Sequence, residues 1–396
     1  MRSMAPEFHE LFAQRTRWNL EENSLSRALA TLRATGPPVL DLTRSNPTEC
    51  GFEYGQQGIQ RVFSHSEIVH YQPDPQGTLR AREAVCAYYA DLQTTVAPDD
   101  LILTSGTSEG YSFIFRLLCN PGDEVLVPSP GYPLFDFLAD ICDVKLVRYP
   151  LFYDHGWQID FAALATAPSE RTRAVIVVHP NNPTGHYTAA NEQAQLTRFC
   201  AERWLALIAD EVFLDFSLQE TREKTFTCTN DALTFTLSGI SKICGMPQRK
   251  LAWIAASGPA ERKRAALARL EIIADAYLSV GTPVQLAAPE LLAMRAPFQA
   301  QVMARVKANL RELDAQISGQ SACNRLACQG GWSAVLRVPA KQSDEELAVA
   351  LLTKRSVHVH PGHFYDFARP GYLVVSLIVP ELEFAEGVRR VLAHFA

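Results

Sequence analysis

At 396 residues the chain is long enough for two or three domains and a substantial buried core. Its 37 basic and 43 acidic residues give a net charge of −6, which leaves no cationic footprint for a nucleic acid. No apolar run approaches membrane-spanning length and Met1 to Glu10 lacks an apolar signal core, so a cytoplasmic protein off the membrane is expected.

The nine cysteines form no C-x-x-C pair, so neither a disulfide framework nor a metal site is indicated. Leu25, Leu29 and Leu32 recur at helical spacing and predict a helix over Ser24 to Thr35, ended by Gly36-Pro37-Pro38. A short strand, Val39 to Thr43, enters Arg44-Ser45-Asn46-Pro47-Thr48. The Asn46-Pro47 turn is the expected boundary of an N-terminal appendage, residues 1–45, and is either a surface turn or the mouth of a site. The loop from His70 to Arg80 opens a helix running to about Leu92, with Thr78 as its cap. Tyr71 on that loop has a hydroxyl that can reach a phosphate.

From Asp100 the pattern becomes strand, loop, helix: Leu101 to Thr104, Ser105 to Gly110, then Tyr111 to Leu118. A small-residue loop between strand and helix leaves backbone N–H groups open and aims a helix N-terminus at an anion. Ser105, Gly106 and Thr107 therefore form a candidate phosphate cradle, although the spacing is neither a dinucleotide fingerprint nor a Walker loop. The strand Glu124 to Val127 leads to Tyr132, held between prolines where it can lie on an aromatic ligand. A helix from Phe135 to Ile141 and a strand from Val144 to Tyr149 follow. The apolar runs Ala174 to Val178 and Leu205 to Ala209 end in Asn181-Asn182-Pro183-Thr184-Gly185 and in Asp210-Glu211-Val212-Phe213. Alternating strands and helices predict an α/β fold with a mostly parallel, doubly wound sheet and its ligand at the strand C-terminal ends.

Lys242 follows another apolar run, Ala232 to Leu237, and sits among Ser and Gly residues. A lysine partly withdrawn from water keeps a fraction of free amine, able to form a Schiff base with an aldehyde. Arg249 and Lys250 lie close by to hold a phosphate, which suggests pyridoxal 5'-phosphate.

Together these motifs resemble the class I/II aminotransferases, pyridoxal-phosphate enzymes of fold type I, along nearly the whole chain. The resemblance rests on the Tyr71 to Arg80 loop, Ser105-Gly106-Thr107, Tyr132, Asn182-Pro183-Thr184-Gly185, Asp210 to Phe213 and Ser241-Lys242. It implies an aminotransferase moving an amino group between an amino acid and a 2-oxo acid, both small molecules, with Lys242 carrying the cofactor aldehyde as an imine and moving a proton. It further implies that Asp210 pairs with the pyridinium nitrogen, Asn182 with the ring hydroxyl, and Tyr132 with the ring face. Ser105, Gly106 and Thr107 hold the phosphate, with Tyr71 from the other subunit of a homodimer. A large cofactor domain over 46–282 and a small domain over 283–396, joined by the appendage, are the implied organisation. Ser241 and Phe213 fall within the cofactor motifs.

Three positions depart from the family pattern. Lys250 stands where a phosphate-binding Arg is usual, eight residues after Lys242. Phe213 stands where a Tyr donates to the ring oxygen, and Val374 where an Arg binds the substrate carboxylate. Arg369 is the expected replacement for that last role, with Arg44 and then Arg337 behind it. The remaining segments predict helices over Arg262 to Val280, Pro283 to Arg311, Asp344 to Lys354 and Glu383 to His394, with strands at Trp332 to Val338 and Leu373 to Val379. A C–S lyase, decarboxylase or oxidase would carry the same cofactor motifs. A non-enzymatic sensor of the cofactor would need an added DNA-binding domain, for which about 45 residues before the main domain are too few.

Overall fold

The apolar run at 174–178 becomes a strand in the middle of a sheet that is buried on both faces. The computed structural model describes residues 11–71, 73–220, 223–278, 280–319 and 322–395, so Met1 to Glu10 and Gln72 of the Tyr71 loop lie outside the described residues. Helix α1 (Ser24–Thr35) and strand β1 (Leu40–Asp41) come first, followed by α2 (Gln56–Val62) and α3 (Leu79–Asp91). The large sheet then forms from β2 (Leu101–Thr104), β3 (Glu124–Ser129), β4 (Lys145–Tyr153), β5 (Trp157–Ile159), β6 (Thr172–Val178), β7 (Ala206–Asp210), β8 (Thr234–Gly239) and β9 (Ala252–Ser257). Between them run α4 (Thr107–Leu118), α5 (Leu134–Ile141), α6 (Phe161–Thr166), α7 (Ala190–Glu202) and α8 (Ile240–Ile243), and after them α9 (Ala260–Tyr277) and α10 (Thr282–Ala293).

The sheet order is β2-β9-β8-β7-β6-β3-β4-β5, with parallel pairing from β8 through β4 and antiparallel pairing at β9 and β5. Ala174, Ile176 and Val178 face Tyr111 and Phe115 of α4 and Leu270 of α9, whereas Val175 and Val177 face Leu196 and Phe199 of α7. That two-period alternation is what lets one strand serve two helical layers. Each buried aliphatic side chain contributes about 1.5–3 kcal/mol, enough in sum to carry a few polar groups at the strand ends. Those ends, at Thr104, Ser129, Val178, Asp210 and Gly239, lie on one edge of the sheet because the five strands share a direction.

The second unit comprises α11 (Arg295–Ser318), β10 (Asn324–Arg325), β11 (Ser333–Arg337), α12 (Asp344–Arg355), β12 (Val357–His358), β13 (His360–Pro361), β14 (Tyr372–Ser376) and α13 (Glu381–Leu392). An antiparallel sheet β10-β11-β14-β13 is covered by α11, α12 and α13 around Val302, Leu351 and Val388. The early residues join this unit: α1 packs on α12, and β1 pairs parallel with β12, Leu40 opposite Val357 and Asp41 opposite His358.

Several expectations need correction. Helix α4 begins at Thr107, not Tyr111, so the candidate cradle is its first turn. Thr78 is the N-cap residue of α3, as expected, but without a capping bond: its hydroxyl has no hydrogen-bond partner among the described residues, and Gln285 Oε1 accepts its amide at 2.6 Å. The stretch from Pro283 is two helices. Pro283 lies in the first turn of α10 and Pro297 in the first turn of α11, where a missing N–H costs nothing. Ala287, Ala288 and Leu291 of α10 pack with Val85, Tyr88 and Trp253, so the large unit extends past 282 to Ala293.

Candidate active site

Strand β7 ends on Asp210, and Glu211 follows it, two adjacent residues whose side chains diverge. The Glu211 carboxylate turns away and accepts the Phe226 amide and the Thr225 hydroxyl, both at 2.6 Å. Asp210 turns into a cavity of about 300 Å³ at the sheet's carboxyl edge. Tyr111 Oη donates to its Oδ2 at 3.0 Å and the Val212 amide to its Oδ1 at 3.2 Å. Burial pushes the Asp210 pKa up to about 6, against the pull of those donors and of the Lys242 charge.

Lys242, in the single turn α8 just past β8, lines the same cavity. Burial holds its ammonium below the ordinary lysine range, and the Asp210 charge opposes the shift. Its Nζ lies 5.1 Å from the Trp332 ring centre and 5.5 Å from that of Phe213, whose planes meet at 70°. The lysine is thus walled by two aromatic faces and has one carboxylate for electrostatic company.

Asn182 reaches the cavity because its neighbour shapes the turn after β6. Asn181 Oδ1 accepts the Thr184 hydroxyl at 2.8 Å and its amide at 3.3 Å. Tyr132, on the turn between β3 and α5, lines the cavity and meets Phe135 edge-on, ring centres 5.8 Å apart. Ser241, Phe213 and Thr107 also line it. Ser105 instead borders a neighbouring hollow of about 500 Å³ together with Glu109, Arg249 and Lys250. Its amide donates to Glu109 Oε2 at 2.7 Å, while Gly106 and Thr107 stand at the open N-terminus of α4. The Arg249 guanidinium stacks 4.1 Å from the Phe63 ring centre, and Lys250 is exposed with φ +53°. Tyr71 is 69 % exposed and does not line the cavity of its own chain.

Arg369, Arg44, Arg337 and Asn46, the residues expected at the substrate, do not line the cavity. Arg369 is exposed on the loop before β14, which is turned outward by an Asp366 ion pair with Arg148 at 2.9 Å. Arg44 is paired with Glu383 at 2.8 Å. Asn46 spends both ends of its amide on its own turn, accepting from Thr48 and donating to Glu49 at 2.9 Å. Arg337, at the far end of β11, is exposed as well.

In their place the cavity receives Thr43, Trp332, Ser333, His360, Tyr365 and Ser376 from the second unit and the early chain. Sequence reasoning overlooked all six, and Tyr111 too. For Tyr111 a signal existed: it lies four residues after Thr107 on one helix, hence on the same face.

The family model for aminotransferase class I and II matches residues 41–391. The chain belongs to that family. Among its relatives are the alanine aminotransferase of Mycobacterium tuberculosis (strain H37Rv), 26% identical over 371 residues that cover 91% of this chain and 86% of that protein. The tyrosine aminotransferase of Homo sapiens is 25% identical over 347 residues, 85% of this chain and 75% of its own. The solved alanine aminotransferase from Pyrococcus furiosus superposes with a TM-score of 0.87 at 21% identity, over 97% of this chain and 99% of that one, a likeness of fold. The family uses pyridoxal phosphate, and this aminotransferase works on amino and 2-oxo acids. Among the described residues no helix is long and apolar enough to cross a membrane.

Proposed function

We propose that Lys242 is the residue on which this aminotransferase carries its cofactor and that it moves the substrate proton. The observation that carries the reading is a buried amine facing a buried carboxylate in one cavity, with Asn182 and Tyr132 on its wall. The donor set fits pyridoxal phosphate. An amine of lowered pKa suits its aldehyde, a carboxylate of raised pKa its ring nitrogen, an amide its ring hydroxyl, and the open turn at Gly106 and Thr107 its phosphate. Bound there, the cofactor supplies an aldehyde for the substrate amine and a ring that takes up electrons released at Cα. Asp210 holds a proton at the ring nitrogen, which its buried position and the Tyr111 hydroxyl orient. Once free, the Lys242 amine is a base within the same enclosed space, and it returns the proton it accepts. The walls of Phe213 and Trp332 keep water from that exchange.

Adding amino acids to the purified enzyme tests this. Conversion of the cofactor to pyridoxamine phosphate with release of a 2-oxo acid is expected. Release of ammonia, hydrogen sulfide or carbon dioxide, or consumption of dioxygen, in its place would favour a lyase, decarboxylase or oxidase.

The working unit in this reading is a cytoplasmic homodimer. Ile68, Val69 and Tyr71 form an exposed apolar group, and Tyr71 lines neither the cavity of its own chain at Lys242 nor the neighbouring hollow at Ser105. Sedimentation is expected to give a dimer, and Tyr71→Phe to weaken cofactor retention severalfold in that dimer. A fully active monomer would refute it.

Phe213 offers a further check. It cannot donate to the cofactor's ring oxygen, and a donor there loosens that oxygen's hold on the adjacent proton. Phe213→Tyr is therefore expected to lower the pKa read in a pH titration of the bound cofactor's absorbance. A pKa that stays in place means that another group already donates.

A further inference from the structure

Val374 removes the guanidinium from the strand position at which a substrate carboxylate is ordinarily met, and the arginines nearest in sequence are exposed or paired. An ionised carboxylate brought out of water without a partner is strongly disfavoured, so the cavity must offer other donors. Among the described residues lining it, Lys242 and His360 are the two with a basic nitrogen, and Lys242 belongs to the cofactor; burial holds the His360 imidazole down at about 4, so it meets a substrate as a neutral N–H donor. His360 stands directly across the ladder from Val374, β13 pairing antiparallel with β14. Two residues on, Ser376 lies on the same face of β14 and opposite Ser333 of β11. Its hydroxyl is buried, with no hydrogen-bond partner. The imidazole is anchored from behind, its Nδ1 lying 3.0 Å from the Tyr365 hydroxyl. Burial keeps that tyrosine protonated and therefore able to donate to Nδ1, the arrangement in which the ring's own proton sits on Nε2. Among the described residues no hydrogen bond engages Nε2, and His360 and Tyr365 both line the cavity.

We propose that His360, oriented by Tyr365 and assisted by Ser376, holds the α-carboxylate of the amino-acid substrate in place of the guanidinium that Val374 cannot supply. The proposal rests on the aminotransferase reading of the cavity and names the recognition element within it. It makes the enzyme one that receives a carboxylate on neutral donors. The Asp41 carboxylate bonds the neighbouring His358 at 3.2 Å, and the Thr43 hydroxyl donates to Asp41 at 2.6 Å. Asp41 thus spends hydrogen bonds on His358 and Thr43 and acts on His360 through its charge.

The test uses the cofactor-loaded enzyme and its His360→Ala and His360→Asn variants, with the best donor among the twenty common L-amino acids. His360→Ala is expected to raise KM for that donor at least tenfold, and to weaken calorimetric binding of propionate, a bare carboxylate, by a similar factor. The cofactor absorbance spectrum stays unchanged. His360→Asn keeps an N–H donor on a shorter side chain and is expected to lose less, which also serves if the alanine variant does not fold. KM and propionate binding within twofold of wild type in the soluble variants would overturn the assignment of His360 while leaving the aminotransferase intact. If the wild-type enzyme converts benzylamine but no amino acid, both the assignment and the amino-acid reading fall.

Discussion

Lys242→Ala is expected to abolish turnover while the protein still folds and still takes up cofactor. The substitution takes away two things at once. One is the covalent hold, since among the described lining residues no other primary amine faces the cavity. The other is the base that moves the Cα proton, a service that by itself contributes about 10²–10⁴-fold. A combined loss in kcat of about 10⁴-fold or more follows, because the same atom performs both tasks and the effects cannot be partitioned. Folding tolerates the change: burial already disfavours the ammonium, and no hydrogen bond that the structure displays depends on Nζ. The measurement is single-turnover kinetics beside mass spectrometry after borohydride reduction, in which the cofactor remains on the wild-type chain and is absent from the variant. Normal turnover in Lys242→Ala would end the assignment of that residue.

The parts of this site that are local in the chain were legible before the fold was known. Lys242, Asp210, Asn182 and Thr107 each follow an apolar run whose length and β-branched content mark a buried strand, and the residues after such runs gather at one edge when the strands are parallel. The side of the cavity made by the second unit was not legible. His360 and Ser376 face the substrate because β13, β14 and β11 pair across long stretches of chain, and Thr43 because β1 adds to β12. No local pattern announces such pairings. Arg369 was misjudged for the same reason: closeness in sequence to β14 says nothing about the side to which the preceding loop turns, and Asp366 fixes that side through Arg148. The packing of α10 onto α3, across some two hundred residues of chain, is another such pairing, and it joins Thr282–Ala293 to the large unit beyond the implied boundary at 282.

Asp210→Asn separates what the carboxylate does for catalysis from what it costs the fold. An amide cannot keep a proton on a ring nitrogen by charge, so the electron-withdrawing form of the cofactor loses its support. The loss in kcat is expected to be about 10²–10³-fold, on the scale of removing one oriented electrostatic stabiliser from a dry site. Stability should move the other way in the cofactor-free protein. The folded-state pKa of Asp210 stands at about 6, above its ordinary value of 3.8. A raised pKa means that the folded state favours the protonated carboxyl. Its contribution to stability is therefore full below about pH 4 and is lost as the pH rises through about 6. Asparagine resembles that neutral form at every pH and keeps an oxygen for Tyr111. The melting temperature of cofactor-free Asp210→Asn, measured against wild type, is expected to shift in the variant's favour between pH 4 and pH 7. With cofactor bound the order reverses, because the ring nitrogen's positive charge then stabilises the ionised Asp210 and the variant has no charge to offer it. A melting difference that is flat with pH in the cofactor-free protein would mean that the Asp210 pKa is not raised, the Val212 and Tyr111 donors and the Lys242 charge offsetting its burial.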